Sequence, residues 1–363
     1  MSSTQIDRTS THPSASHTRM PIPSARGPVS ARLIALLSGS DASPRTFPAV
    51  AGGLAEHHSG RSILFDDDAQ LTLTLLYELH LQGIDGVSDI WEWDLDLLAG
   101  RATLEKPFEA AIHEITQSYR PEAFGRGDVV SALWAMTAPS SGPSMSKYMA
   151  TEASADQFRE VLIHRSLNQL RESDVHTLGI PRLAGAPKAA LVEVQADEYG
   201  GGRYERMHST LFATTMRELN LSDEYAHYLD VVPAVTLAAL NALSFFGLHR
   251  RHLGALVGHL CAVETTSSLP SKNYSAGLRR LGFSPHATLF YDEHVEADSV
   301  HEQIAVRDLA GGLTDSDPTM GTHILFGAAA CLAFDDLLAE HITGSWAQDE
   351  SSLRPGTGRS ELT

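Results

Sequence analysis

The chain has 363 residues, 27 Lys+Arg against 45 Asp+Glu for a formal charge of −18, 18 His and 2 Cys. That charge opposes phosphate backbones and anionic lipid, so neither nucleic-acid nor membrane-surface binding is expected. The isolated Cys261 and Cys331 exclude a disulfide framework and a thiolate zinc site, and they fit a reducing cytoplasm.

Residues 1–46, rich in Ser, Thr, Pro and Arg, are expected to form a disordered leader. Residues 47–124 read as an N-terminal helical extension, with a helical pattern from Asp67 and another over 104–119. Residues 125–345 carry repeated helical punctuation without alternation at period two, so the fold class is all-α. Helices are predicted over 155–170, from Pro187 to the Gly200–Gly202 run, over 203–219, after Ser222, and from Pro285 to about residue 309. Residues 231–248 are the most apolar stretch; Pro233, Thr236, Asn241 and Ser244 interrupt it, so it reads as a buried helix rather than a membrane span. Residues 346–363 are expected to be a disordered tail.

Several helices carry ligand-type side chains inside apolar stripes. His294, Asp298 and His301 follow one another at i, i+4 and i+7 between Phe290 and Ile304, so they occupy the stripe that should face the core. Two imidazoles and a carboxylate are costly there unless something satisfies them, and an iron or manganese ion would. Glu205 and His208 continue the stripe of Leu211, Phe212, Met216 and Leu219, with Glu198 ten residues before His208. Glu264 stands where the Leu253, Leu256, Val257, Leu260 face calls for an apolar residue. Helices offering such groups from facing sides are how a bundle holds two metal ions. Glu224 and His227 form a second Glu-x-x-His pair, but it falls at the wrong end of the neighbouring helix. Glu172 and His176 are a further polar pair upstream, whereas His249, His252 and His259 read as a solvated face.

With these spacings the chain resembles the heme-oxygenase-like diiron oxidases and oxygenases, a family of iron-containing redox enzymes. EVQADEYGGGRYERMHSTLF (193–212) is similar to that family's first metal-ligand region and FYDEHVEADSVHEQI (290–304) to its last. The resemblance implies a seven-helix bundle over 125–345 holding two Fe2+ (or Mn) with O2 as co-substrate. It also implies that His208 and His294 serve one iron, Asp298 and His301 the other, and Glu264 bridges or caps the pair. Either Glu198 or Glu205 matches the first-helix acid. The implied reaction is O2-dependent oxidation of a small organic substrate of amino-acid, fatty-acid or amine type, with an electron donor that the sequence does not name. The N-terminal extension is expected to serve homodimerisation or to cover the site.

Two other readings compete. One is a metal-free member of the same fold that binds a small molecule or, with Cys261 as nucleophile, is thiaminase-like; the other is an iron-binding helical protein without turnover. The chain has no GxSxG, GxxxxGK[ST] or HExxH motif, which leaves hydrolase, phosphate-binding and zinc-protease readings unsupported.

Overall fold

A computed structural model of the chain describes residues 19–40, 43–120, 128–139 and 144–355, without the side chains of residues 296–299. Among these residues the fold is all-α, the only β feature being an isolated bridge between Met20 and Ile84. The N-terminal part comprises α1 (Pro28–Leu37), α2 (Phe47–Glu56), α3 (Asp67–Glu78) and α4 (Leu95–Ile115). Then come α5 (Val129–Met136), α6 (Met145–Thr151), α7 (Ala155–Gln169), the single turn α8 (Asp174–Thr177), α9 (Gly185–Glu198) and α10 (His208–Glu218). The C-terminal half holds α11 (Ala234–Leu248), α12 (Leu253–Thr266), α13 (Ser268–Arg280), α14 (Pro285–Gln303), α15 (Gly312–Ser316) and α16 (Met320–Trp346).

Side-chain capping explains several of the starts. Ser154 Oγ accepts from Gln157 N at 3.2 Å while Gln157 Oε1 accepts from Ser154 N at 2.9 Å, a reciprocal pair that opens α7. Ser284 and Pro285 open α14 as the sequence suggests, Ser284 Oγ accepting from His286 N. Helix α4 begins nine residues before the predicted position 104, because the Asp94 carboxylate caps Asp96 N and Leu97 N. No helix follows Ser222. Its hydroxyl accepts from Glu224 N, but Ala226 at φ 58° turns the chain away.

Parts of both presumed disordered ends are ordered. Helix α1 is held at its N-terminus by Asp68, whose carboxylate accepts from Val29 N at 2.8 Å and Ser30 N at 2.7 Å. In the tail, Ser352 is buried, donating through N and Oγ to Glu160, and Arg354 pairs with Asp67 at 2.9 Å. Residues 1–18 and 356–363 lie outside the described residues. The N-terminal helices share their core with the bundle: Leu73, Tyr77 and Phe108 lie in one buried cluster with Phe245, Phe246 and Phe326. Across the α3–α11 contact Thr74 Oγ1 donates to Asn241 Oδ1 at 3.0 Å, and Asn241 Nδ2 donates to Gln70.

Helix α16 is long and apolar enough to cross a bilayer, yet most of its apolar stretch is buried in the fold, packed against α12. Glycines permit the contact: a Cβ on Gly258 would collide with the Ile324 carbonyl, and one on Gly327 with the Ala255 carbonyl. Gly258→Ala is expected to force the helices apart and destabilise the fold by about 1–3 kcal/mol, read as a lower Tm. Because α12 also carries Glu264, the same variant should take up metal more weakly.

Candidate metal centre

Helices α10 and α14 run past each other with matched side chains. Thr215 Oγ1 donates to the Ala287 carbonyl at 3.0 Å, and the Phe212 and Phe290 rings meet edge-on at 5.1 Å. One turn further, the His208 and His294 rings lie 4.5 Å apart. The heptad-like spacing that places His294 below Phe290 on α14, and His208 before Phe212 on α10, thus brings the two imidazoles together. Glu172 approaches from the turn after α7, its Oε1 3.7 Å from His294 Nε2. Ser173, in the left-handed region at φ 71°, fixes that turn, and its hydroxyl donates to Glu198.

Two clusters result. Glu172, His208 and His294 each offer a ligand atom within 4.8 Å of the others, and so do Glu198, Glu264 and His301. Glu198 also touches the first cluster, its Oε2 lying 3.0 Å from His208 Nδ1. In the second, His301 Nδ1 lies 3.4 Å from Glu264 Oε2 and 3.9 Å from Glu198 Oε1. The remote ring nitrogens are already engaged: His294 Nδ1 is 2.7 Å from the Phe290 carbonyl and His301 Nε2 is 3.0 Å from Asp197. Such anchoring fixes ring orientation and points the other nitrogen at a metal. His208 Nδ1 and His301 Nδ1 face the Glu198 and Glu264 carboxylates without well-formed hydrogen bonds, and Glu172 Oε2 is buried with no hydrogen-bond partner, a state that a cation relieves. A set of imidazoles and carboxylates suits iron or manganese.

The electrostatics match. Burial pushes the Glu198 carboxyl up, but His208 and His294 outweigh it and hold the group at about 2. Burial raises the Glu264 carboxyl against the pull of His301. Burial alone would lower His208 and His301, yet the facing carboxylates raise both, His301 to about 9. In the metal-free chain His301 therefore carries a proton at neutral pH that a metal must displace.

Of the residues singled out in the sequence, His208, Glu198, Glu264, His294 and His301 converge. Glu205 does not. The predicted helix over 203–219 starts only at His208, because Gly200, Gly201 and Gly202 all adopt positive φ (65°, 60° and 78°) and Tyr204–Arg206 form a separate turn. Glu205 is left exposed on that turn, whereas Glu198 is buried among the clustered groups. The Asp298 side chain lies outside the described residues. Glu172, only a peripheral polar residue by sequence, belongs to the first cluster; lying in a turn, it has no helical spacing to betray it. Its companion His176 instead lies 3.2 Å from His259. The supposed solvated face is largely inside: His252 is buried against Phe245 and Phe246, while His249 pairs with Glu105 at 2.8 Å. Cys261 is fully buried, its S–H donating to the Ala305 carbonyl, and burial pushes the thiol up, so it is no nucleophile.

An inner cavity of about 40 Å³ touches Glu172, Glu198, Glu264 and His294. An open cleft of about 400 Å³, lined by Arg203, Arg206, Asp197 and Glu293, reaches His208 from the surface. Residues 159–336, which contain both clusters, match the family model described as iron-containing redox enzyme. This segment belongs to that family. The resemblance seen in the ligand motifs is thereby shown, and with it an oxidoreductase-type, iron-containing domain. A search of curated proteins found no match.

Three measurements test the site. Glu172→Ala should lower metal uptake by ten- to a hundredfold or more, while Glu205→Ala should leave it at the wild-type level. Anaerobic metal affinity should climb by about tenfold per pH unit for each displaced proton as pH rises from 6 towards 9. The metal-free fold should respond the other way: the raised His301 contributes stability fully below its ordinary value near 6.5 and loses it as pH passes about 9, read as a falling apo Tm.

Proposed function

We propose that the protein is an O2-dependent, non-heme diiron oxidoreductase acting on a small organic substrate. The observation that carries this reading is the pair of buried clusters joined by Glu198: Glu172, His208 and His294 would hold one ion, Glu198, Glu264 and His301 the other. When bound, a ferrous pair supplies two electrons for reducing O2. The carboxylates balance the ionic charge, and the Phe290 carbonyl and Asp197 keep the imidazoles aimed. Apolar neighbours such as Leu243, Leu260 and Val263 keep bulk water from the inner cavity. The open cleft is the route for the organic substrate. Its arginines and acids favour a charged substrate of amino-acid or amine type over a fatty acid.

Anaerobic Fe(II) loading should give close to two irons per chain, and a screen of small amino acids and amines should find compounds that stimulate O2 uptake. His294→Ala and His301→Ala should each lose one iron, and the double variant both. Wild-type loading no higher than that of the double variant would rule the reading out. Two bound irons with no substrate-dependent O2 uptake would favour iron binding without turnover.

A further inference from the structure

We infer that Glu78, on α3 and outside the family-matched segment, is a positioning residue for the metal centre: it neutralises Arg171 and so leaves Glu172 free to hold a cation. The inference rests on the two-ion reading above. Glu78 is 1% exposed, and its Oε2 accepts from Arg171 Nη1 at 2.8 Å. Tyr225 donates to the same oxygen at 3.1 Å, and the guanidinium lies 5.4 Å from the Tyr225 ring centre. Arg171 is itself 5% exposed and lines the inner cavity together with Glu172, Glu198, Glu264 and His294.

A guanidinium remains charged even when buried, and it binds carboxylates in preference to other partners. Arg171 Nε has no hydrogen-bond partner, and neither does Glu172 Oε2 on the next residue. The other nearby acid, Asp174, is engaged by Tyr199 at 2.8 Å and Gln82 at 3.3 Å. Without the Glu78 charge, the guanidinium is left with Asp174, whose two oxygens are already engaged, and with the carboxylates of Glu172, Glu198 and Glu264 that line the same cavity. Arg171 would then compete with a cation for Glu172 and add its own positive charge to the cavity. Glu78 thus places an element before residue 159 among the groups on which the centre depends.

The test uses the full chain and anaerobic Mn(II) titration, with metal content, Mn(II) EPR and Tm measured for each protein. Glu78→Gln should weaken one of the two ions by about ten- to a hundredfold and convert a coupled dinuclear EPR signal into a mononuclear one. Glu78→Gln combined with Arg171→Gln should restore both ions and the coupled signal, because the competing charge is gone. A merely structural ion pair would lower Tm in both variants without that rescue. Wild-type metal binding in Glu78→Gln, or a folded double variant as metal-deficient as the single one, overturns the inference. Should the single variant not fold, the double variant decides alone: two ions support the inference and fewer overturn it. A wild-type chain that takes up no metal overturns the two-ion reading itself, and this inference with it.

Discussion

The structure is organised around the cost of keeping three carboxylates and three imidazoles out of water. An uncompensated ion in a protein interior is worth several kcal/mol of destabilisation, about as much as a domain's net stability. Without metal, the Glu198 and Glu264 carboxylates meet part of that cost by facing the His208 and His301 imidazoles, which is why both imidazoles are held above their ordinary value. Pairing is incomplete, since His208 Nδ1 and His301 Nδ1 face those carboxylates without well-formed hydrogen bonds. Bound cations would complete it, and metal binding would then be linked to folding stability.

The surrounding architecture keeps these groups together. Packing of α10 on α14 through Phe212, Phe290 and Thr215 sets the His208–His294 contact. The glycine-mediated approach of α12 to α16 sets how far Glu264 reaches towards His301. The N-terminal helices supply a shared apolar core and, through Glu78, a counter-ion beside the inner cavity. They are thus integral to the bundle that surrounds the centre.

Much of this was legible in the sequence because helical period converts spacing into direction. His294 and His301 interrupt an apolar stripe at intervals that place both on the inner face of α14, and Glu264 does the same on α12. The same rule failed for Glu205. Three consecutive glycines with positive φ ended one helical register and started another, and a period cannot be carried across that break. It also passed over His252, which looked solvated beside two arginines but tucks into an aromatic pocket that only the fold assembles.

By itself the sequence determined the all-α class and the inward placing of His208 on α10, Glu264 on α12, and His294 and His301 on α14, since each follows from short-range spacing along one helix; the family resemblance followed from those motifs taken together. Which of these groups lie together was decided only by tertiary structure. Glu172 enters from a turn, Glu198 lies between two clusters, and Glu78 meets Arg171, 93 residues on, beside the inner cavity. Those pairings depend on distances across the bundle, and no periodicity along the chain encodes them.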